Sequence, residues 1–347
     1  MAGAALRPLL AATPARAAGG IVRLSANENP YGPSPAALQA MREALPLVWR
    51  YPDETVQELA ADLAAMHGVA KDWFVVGDGS SEILKLAASA FTDAHRKLVM
   101  ADPTFEAIGK HAQVLGAEVV SIPLDRAYGH DLDRMSVPGA GLVYLCNPNN
   151  PTGSITPKAK VRAFLDSLPR STAVLVDEAY HHYVDSPDYE SVIPLVKTHP
   201  NLIVARTFFK IYGMAGLRLG YAVAQPDAVK KLVAHAAWDS VNALAVAAGR
   251  ASLKDTAYAA EGQRRNRATR AQLAGDLARL GYEVIPSHAN FMMIQTRKDV
   301  RPILAALQDR GIQVGRLFPA LPQHLRVTIG TPAQMKRFLD AFAAAMA

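Results

Sequence analysis

The sequence predicts an α/β protein in two parts, a large one on a mainly parallel, doubly covered sheet and a smaller α+β one. Three observations predict it. Short, near-continuous apolar runs alternate with helix-spaced segments, as strands buried on both faces require. Each run ends in a cluster of Gly, Asn, Asp or Pro. After residue 255 the pattern changes to a long amphipathic helix followed by short strands and helices. The length of 347 residues agrees with about two domains.

Along the chain, a helix is expected at about 35–45 and is assigned to the smaller part. Phe74-Val75-Val76 reads as a strand leading into Gly77-Asp78-Gly79-Ser80-Ser81. The helix after it keeps Ile83, Leu84, Ala87 and Phe91 at helical spacing, with Ser80 or Ser81 as its cap. Lys97 to Ala101 leads to Asp102-Pro103-Thr104-Phe105, and Leu142 to Cys146 leads to Asn147-Pro148-Asn149-Asn150-Pro151-Thr152-Gly153. Ala173 to Val176 leads to Asp177-Glu178-Ala179-Tyr180, and Leu202 to Ala205 leads to the segment around Lys210. Ligands of such sheets bind beyond the carboxyl ends of the strands, where all these polar clusters fall. Residues 255–280 form the long helix, with Arg264, Arg265, Arg267 and Arg270 expected in solvent. Strands are expected at 283–285, 291–294, 313–314 and 325–329, and helices at 299–310 and from about Pro332. The division is 1–20 as a flexible N-terminal arm, 21–50 as a segment contributing to the small domain, 51–245 as the large domain and 246–347 as the small C-terminal domain.

Composition narrows the function. Net charge is +6, from 37 Lys and Arg against 31 Asp and Glu, but the basic residues are scattered. That argues against a nucleic-acid surface and for a mild bias toward anionic small molecules. Cys146 is the only cysteine, so neither an intramolecular disulfide nor a cysteine metal cluster is available; no metal is expected. In its apolar run Cys146 reads as a buried structural residue. No apolar stretch of membrane-spanning length occurs, and a cytoplasmic location is expected. Export is the alternative, with residues 1–20 as the remnant of a signal segment, although Pro8 and Pro14 interrupt its apolar part.

The chemistry centres on Lys210. A lysine at the end of a buried strand loses solvation, which lowers its pKa and frees the amine to attack a carbonyl. Arg218, eight residues on, is a fixed cation suited to a phosphate. A Schiff-base lysine beside a phosphate anchor is what pyridoxal phosphate requires. A lysine snorkelling to water, with Arg218 on a solvated face, is the alternative. The cofactor's ring nitrogen needs an anion to keep its proton, and Asp177 is the best-placed carboxylate; a helix-capping aspartate is the alternative. Backbone N–H groups from Gly77 to Ser81 could hold the phosphate, Phe105 could stack on the ring, and Asn150 and Tyr180 could meet its hydroxyl.

These segments resemble the fold-type I, pyridoxal-phosphate-dependent class I/II aminotransferases, and within them the histidinol-phosphate aminotransferase branch. The resemblance runs in order from Asn27-Glu28-Asn29-Pro30-Tyr31-Gly32 and Arg50-Tyr51-Pro52-Asp53 to Leu325-Arg326-Val327-Thr328-Ile329-Gly330, over roughly residues 21–340. It implies a homodimeric enzyme of amino-acid biosynthesis in which a small-molecule amino donor, histidinol phosphate or an aromatic amino acid, and a 2-oxo acid acceptor take turns. It further implies Lys210 as the Schiff-base lysine and proton carrier, with Asp177 at the ring nitrogen. Asn150 and Tyr180 then meet the ring hydroxyl, Phe105 stacks on the ring, and Ser80, Ser81 and Arg218 hold the phosphate. Tyr51 joins the phosphate site from the partner subunit, Arg326 clamps the substrate carboxylate and Tyr31 lines the substrate pocket, with Asn150 and Arg316 as further substrate-binding candidates. Decarboxylation or oxidation on the same cofactor, or cofactor binding without catalysis, are the alternatives.

Two departures stand out. The family usually has Ser or Thr immediately before the lysine, and this chain has Phe209. A lost hydrogen bond to a charged phosphate costs roughly 1.5–3 kcal/mol unless another group, such as Thr207, replaces it. The branch also often places a phosphate-binding arginine directly after the position of Val314. Here Gly315 stands there and Arg316 follows, and in a strand that shift would turn the side chain to the opposite face.

Overall fold

The apolar runs become one seven-stranded sheet, and the computed structural model describes it within residues 20–347. The expectation for the arm 1–20 falls, apart from Gly20, outside the described residues. Strand β1 (Val22–Arg23) precedes helices α1 (Pro35–Ala44) and α2 (Asp53–His67). Strand β2 (Phe74–Gly77) feeds α3 (Gly79–Phe91), and β3 (Lys97–Asp102) feeds α4 (Ala107–Val114). Next come β4 (Val119–Pro123), α5 (Leu132–Met135), β5 (Ala140–Cys146), α6 (Lys158–Ser167) and β6 (Ala173–Asp177). Strands β7 (Leu202–Thr207) and β8 (Gly220–Ala224) lead to α7 (Pro226–Val233) and α8 (Ala243–Lys254). The chain continues through α9 (Thr256–Arg279), β9 (Phe291–Gln295) and α10 (Val300–Asp309). It ends in β10 (Ile312–Gln313), β11 (His324–Thr328) and α11 (Pro332–Met346).

The sheet order is β2-β8-β7-β6-β5-β3-β4, and only β8 runs against the others. Successive residues of its strands face opposite sides. Val143, Leu145, Val174, Val176, Leu202 and Val204 enter one apolar core; Leu142, Tyr144, Leu175, Ile203 and Ala205 enter the other. All seven residues of β5 are buried, which is why its sequence is a continuous apolar run. The smaller part has its own core, where Leu273 and Leu277 of α9 pack with Ile294, Val327, Phe338 and Phe342. Its last helix starts on a reciprocal cap between Thr331 and Gln334, with Pro332 in the first turn.

Several expectations need correction. Helix α1, expected in the smaller part, packs on α8, and its Ala37 shares the core of the main sheet. Segment 21–50 is thereby divided, since Val22 and Leu24 join the smaller core. The boundary at 245 cuts the first turn of α8, whose Ala245, Val246, Ala248 and Leu253 all belong with the main sheet. The strand expected at 283–285 is a single bridge, Val284 with Ile294, and Pro286 follows without an N–H to extend it. Arg270 is buried rather than solvated, donating to the Ala289 carbonyl (3.1 Å) and pairing with Asp185 (3.4 Å). Among the described residues no helix is long and apolar enough to cross a membrane.

Candidate active site

The carboxyl ends of β5, β6 and β7 open into a cavity of about 260 Å³. Of the residues singled out by the sequence, Ser80, Ser81, Phe105, Asn150, Asp177, Tyr180, Thr207, Phe209, Lys210, Arg316 and Arg326 line it. Tyr31, Tyr51 and Arg218 do not. Tyr31, expected in the substrate pocket, is exposed and lies under the Arg265 guanidinium, 4.8 Å from its ring centre. Tyr51 is 77% exposed. Arg218 borders the cavity from behind Phe209.

Asp177 forms the floor. It ends β6 and faces the same side of the sheet as Cys146, its register partner on β5. One carboxylate oxygen accepts from the Ala179 N–H at 3.0 Å and the other from the Tyr144 hydroxyl at 3.0 Å. Burial raises its pKa to about 6, against the pull of those two hydrogen bonds. Burial likewise lowers Lys210 to about 8, with the nearby positive charge of Arg326 acting in the same direction. The Lys210 ammonium lies 5.4 Å from the centre of the Tyr180 ring. The snorkelling alternative is set aside, because this amine points into the cavity and not into bulk water.

One end of the cavity meets the N-terminus of α3. Helix α3 begins at Gly79, so Ser80 and Ser81 sit in its first turn instead of capping it, and the N-cap residue Asp78 makes no side-chain cap. Those N–H groups are free to meet an anion. Gly79 has φ +76°, and a Cβ there would lie 2.0 Å from the Phe209 ring. Phe209 therefore packs the tip of its ring against the helix entrance, with the Arg218 guanidinium 4.0 Å over its ring centre. Arg218 also reaches Asp78 at 3.5 Å. Thr207 accepts the Phe209 N–H at 3.1 Å.

The opposite wall carries the cations. Arg326, buried on β11, donates to the Asn150 side-chain oxygen and to the Ser25 carbonyl, both at 2.7 Å, while its Nε has no partner. Arg316, a substrate-binding candidate by sequence, stands one residue past the family's usual position, a shift that in a strand would turn it to the opposite face. β10 stops at Gln313 and the segment beyond is irregular, so alternation does not apply there. Arg316 lines the cavity, 4.6 Å from the centre of the Phe318 ring, and Arg326 lies 5.1 Å from the same ring. Arg316 also pairs with Glu106 at 2.9 Å.

Behind the floor, Glu178 and Arg206 form a buried ion pair at 2.8 Å. Glu178 also accepts from the Val192 N–H (2.7 Å) and the Ser191 hydroxyl (2.8 Å). Sequence reading had missed this pair, Tyr144, Asn27 and Phe318. Of these, Tyr144 carried a signal: two residues before Cys146 on the same strand, it had to share the face that Asp177 occupies.

The residues fit pyridoxal phosphate. A buried carboxylate suits a protonated ring nitrogen, an uncapped helix N-terminus suits a phosphate, and the unpartnered Arg326 Nε suits a further anion. The phosphate end departs from the family at Phe209.

The sequence pattern of the family "Aminotransferase class I and II" matches residues 20–342. The chain is 42% identical over 330 residues to the histidinol-phosphate aminotransferase of Symbiobacterium thermophilum, covering 94% of this chain and 91% of that protein. It is 38% identical to that of Moorella thermoacetica, over 92% and 84% of the two chains. The crystal structure of the Sinorhizobium meliloti histidinol-phosphate aminotransferase in complex with pyridoxal 5'-phosphate superposes with a TM-score of 0.88 at 28% identity, over 94% of this chain and 90% of that one. With its fold, its Lys210 cavity and these similarities in agreement, the chain belongs to the class I and II aminotransferases and is a pyridoxal-phosphate-dependent transaminase.

Proposed function

We propose that the chain moves the amino group of histidinol phosphate, or of a donor with the same chemistry, onto a 2-oxo acid. The observation that carries this reading is the pair of guanidiniums, Arg316 and Arg326, gathered on the Phe318 ring at the cavity wall. Histidinol phosphate carries a phosphate ester on the carbon that in an amino acid is the carboxylate. Two adjacent cations suit that dianion, and also the carboxylate of the 2-oxo acid that must bind in the same place afterwards. The similar histidinol-phosphate aminotransferases support the reading. An aromatic amino acid is the second reading, favoured by Phe105 and Phe318 in the cavity wall.

Kinetics separate the two. Arg316→Gln should lower kcat/KM for histidinol phosphate about tenfold, the loss of one charge-assisted contact, and leave an aromatic donor within about twofold. Arg326→Gln should lower kcat/KM for both donors by roughly 10–100-fold. Equal losses for the two donors in Arg316→Gln would sink the phosphate reading.

Pyridoxal phosphate, when bound, would supply the aldehyde carbon that carries the amino group and the ring that takes up the electron pair left by the departing proton. In this reading Lys210 takes up the cofactor and, once freed, removes the proton from the donor's amino carbon. Asp177 keeps the ring nitrogen protonated, and Tyr144 fixes that carboxylate. Asn150 and Tyr180 face the ring hydroxyl, and Phe105 covers the ring. Ser80, Ser81 and Thr207 hold the phosphate, with Arg218 adding its positive charge from behind the Phe209 ring. Phe209 makes that hold weaker than a hydroxyl residue would. Phe209→Thr should therefore tighten cofactor binding about tenfold, part of a charged hydrogen bond being offset by the space the ring leaves beside Gly79. Equilibrium dialysis of the cofactor checks this, and unchanged affinity rejects it.

A homodimer completes the reading. Leu45, Leu47, Val48, Trp49 and Tyr51 form an exposed apolar run, with Trp49 at 72% exposure. A second copy covering it would bury that surface and carry Tyr51 toward the partner's phosphate site.

A further inference from the structure

We propose that Asn27 is a positioning residue that aims the Tyr180 hydroxyl proton at the cofactor's ring oxygen. The proposal rests on the reading that Tyr180 faces that oxygen. A phenol has one proton to donate and two lone pairs to accept with. The Tyr180 oxygen accepts from the Asn27 side-chain amide at 3.0 Å and from the Asn150 amide at 3.4 Å. Both amide orientations are fixed by their other ends. The Asn27 side-chain oxygen accepts from the Thr328 hydroxyl at 3.2 Å, and the Asn150 oxygen accepts from Arg326 at 2.7 Å. Each NH₂ must therefore point at Tyr180. With both lone pairs occupied, the Tyr180 proton is left for a partner in the cavity.

Asn27 is held firmly for this task. It is 2% exposed, lines the cavity and takes a left-handed backbone with φ 56°, which Asn tolerates better than most residues. Its N–H donates to the Thr328 hydroxyl oxygen at 3.0 Å, and its carbonyl accepts from Asn290 at 2.9 Å. The charged and titratable groups facing Tyr180 are Asp177 of β6, Cys146 of β5, Arg326 of β11 and Lys210. Phe291 packs edge-on against the Tyr180 ring, 5.0 Å between ring centres, and fixes its plane.

A hydroxyl proton aimed at the ring oxygen stabilises its negative charge. The oxygen then shares less in holding a proton on the Lys210 nitrogen joined to the cofactor, and that nitrogen titrates at lower pH. The readout is the pH titration of the visible absorbance of the Lys210-bound cofactor, in the loaded enzyme without substrate. Asn27→Gly removes the amide and accepts the left-handed backbone. It should raise the titration midpoint by about one pH unit, the worth of one hydrogen bond. Tyr180→Phe should raise it at least as far, and Asn27→Gly added to Tyr180→Phe should then move it by less than about 0.3 unit. If Asn27→Gly fails to fold, Thr328→Val frees the Asn27 amide and should give a smaller rise that also vanishes in Tyr180→Phe. A midpoint unmoved by Tyr180→Phe overturns the placement of Tyr180, and the proposal with it. A midpoint moved by Tyr180→Phe but not by Asn27→Gly, or moved equally by Asn27→Gly in both backgrounds, overturns the role of Asn27 alone.

Discussion

Lys210→Ala should abolish turnover and remove the absorbance of lysine-bound cofactor while leaving the fold intact. On the roles proposed for it, two functions are lost at once, the amine that takes up the cofactor and the base that moves the proton. A fall of at least about 10⁴-fold in kcat is expected. The fold should survive because Lys210 makes no packing that the core depends on, and its burial already disfavours its charge. Far-UV circular dichroism and Tm should match the parent protein. Full turnover in this variant, or a retained band with parental kinetics, would remove Lys210 from the chemistry.

The second large effect is on stability. Glu178→Gln leaves the guanidinium of Arg206, 6% exposed, without its counter-charge. Breaking a buried pair from one side costs about 3–5 kcal/mol, because the remaining ion has lost water and gained nothing. Urea denaturation should show a fall of that size with an unchanged slope. Adding Arg206→Met should recover much of it, since the stranded charge is then gone. A cost below about 1 kcal/mol in the single variant would mean that water reaches Arg206, contrary to its burial. The pair matters to the site because Glu178 follows Asp177. It ties the end of β6 to β7, and its backbone N–H meets the Ala205 carbonyl at 2.9 Å.

Much of the site was legible because strand ends are marked locally. Asp177, Asn150 and Lys210 each follow an apolar run, and a parallel sheet brings such ends to one edge whatever the intervening helices do. Arg326 became recognisable only through the family resemblance, since its strand is short and lies in the other part. Arg316 reaches the cavity although it stands one residue past the family's usual position, because the strand ends at Gln313 and alternation stops with it. Arg270 was placed in solvent because a mainly polar helix pattern gives no warning that one arginine meets Asp185 and a carbonyl.

By itself the sequence determined the sheet class, the order of polar strand ends and the place of Lys210 at one of them. Those depend on periodicity and on turn residues within a few positions of each other. Only the tertiary structure decided that α1 and α8 belong to the main core. It alone set two arginines on Phe318, Tyr144 against Asp177 and Asn27 against Tyr180. The Asn27–Tyr180 contact joins residues 153 positions apart, and the Thr328 contact that aims it spans 301. No local pattern encodes a partner at that distance; packing of the two cores against each other does.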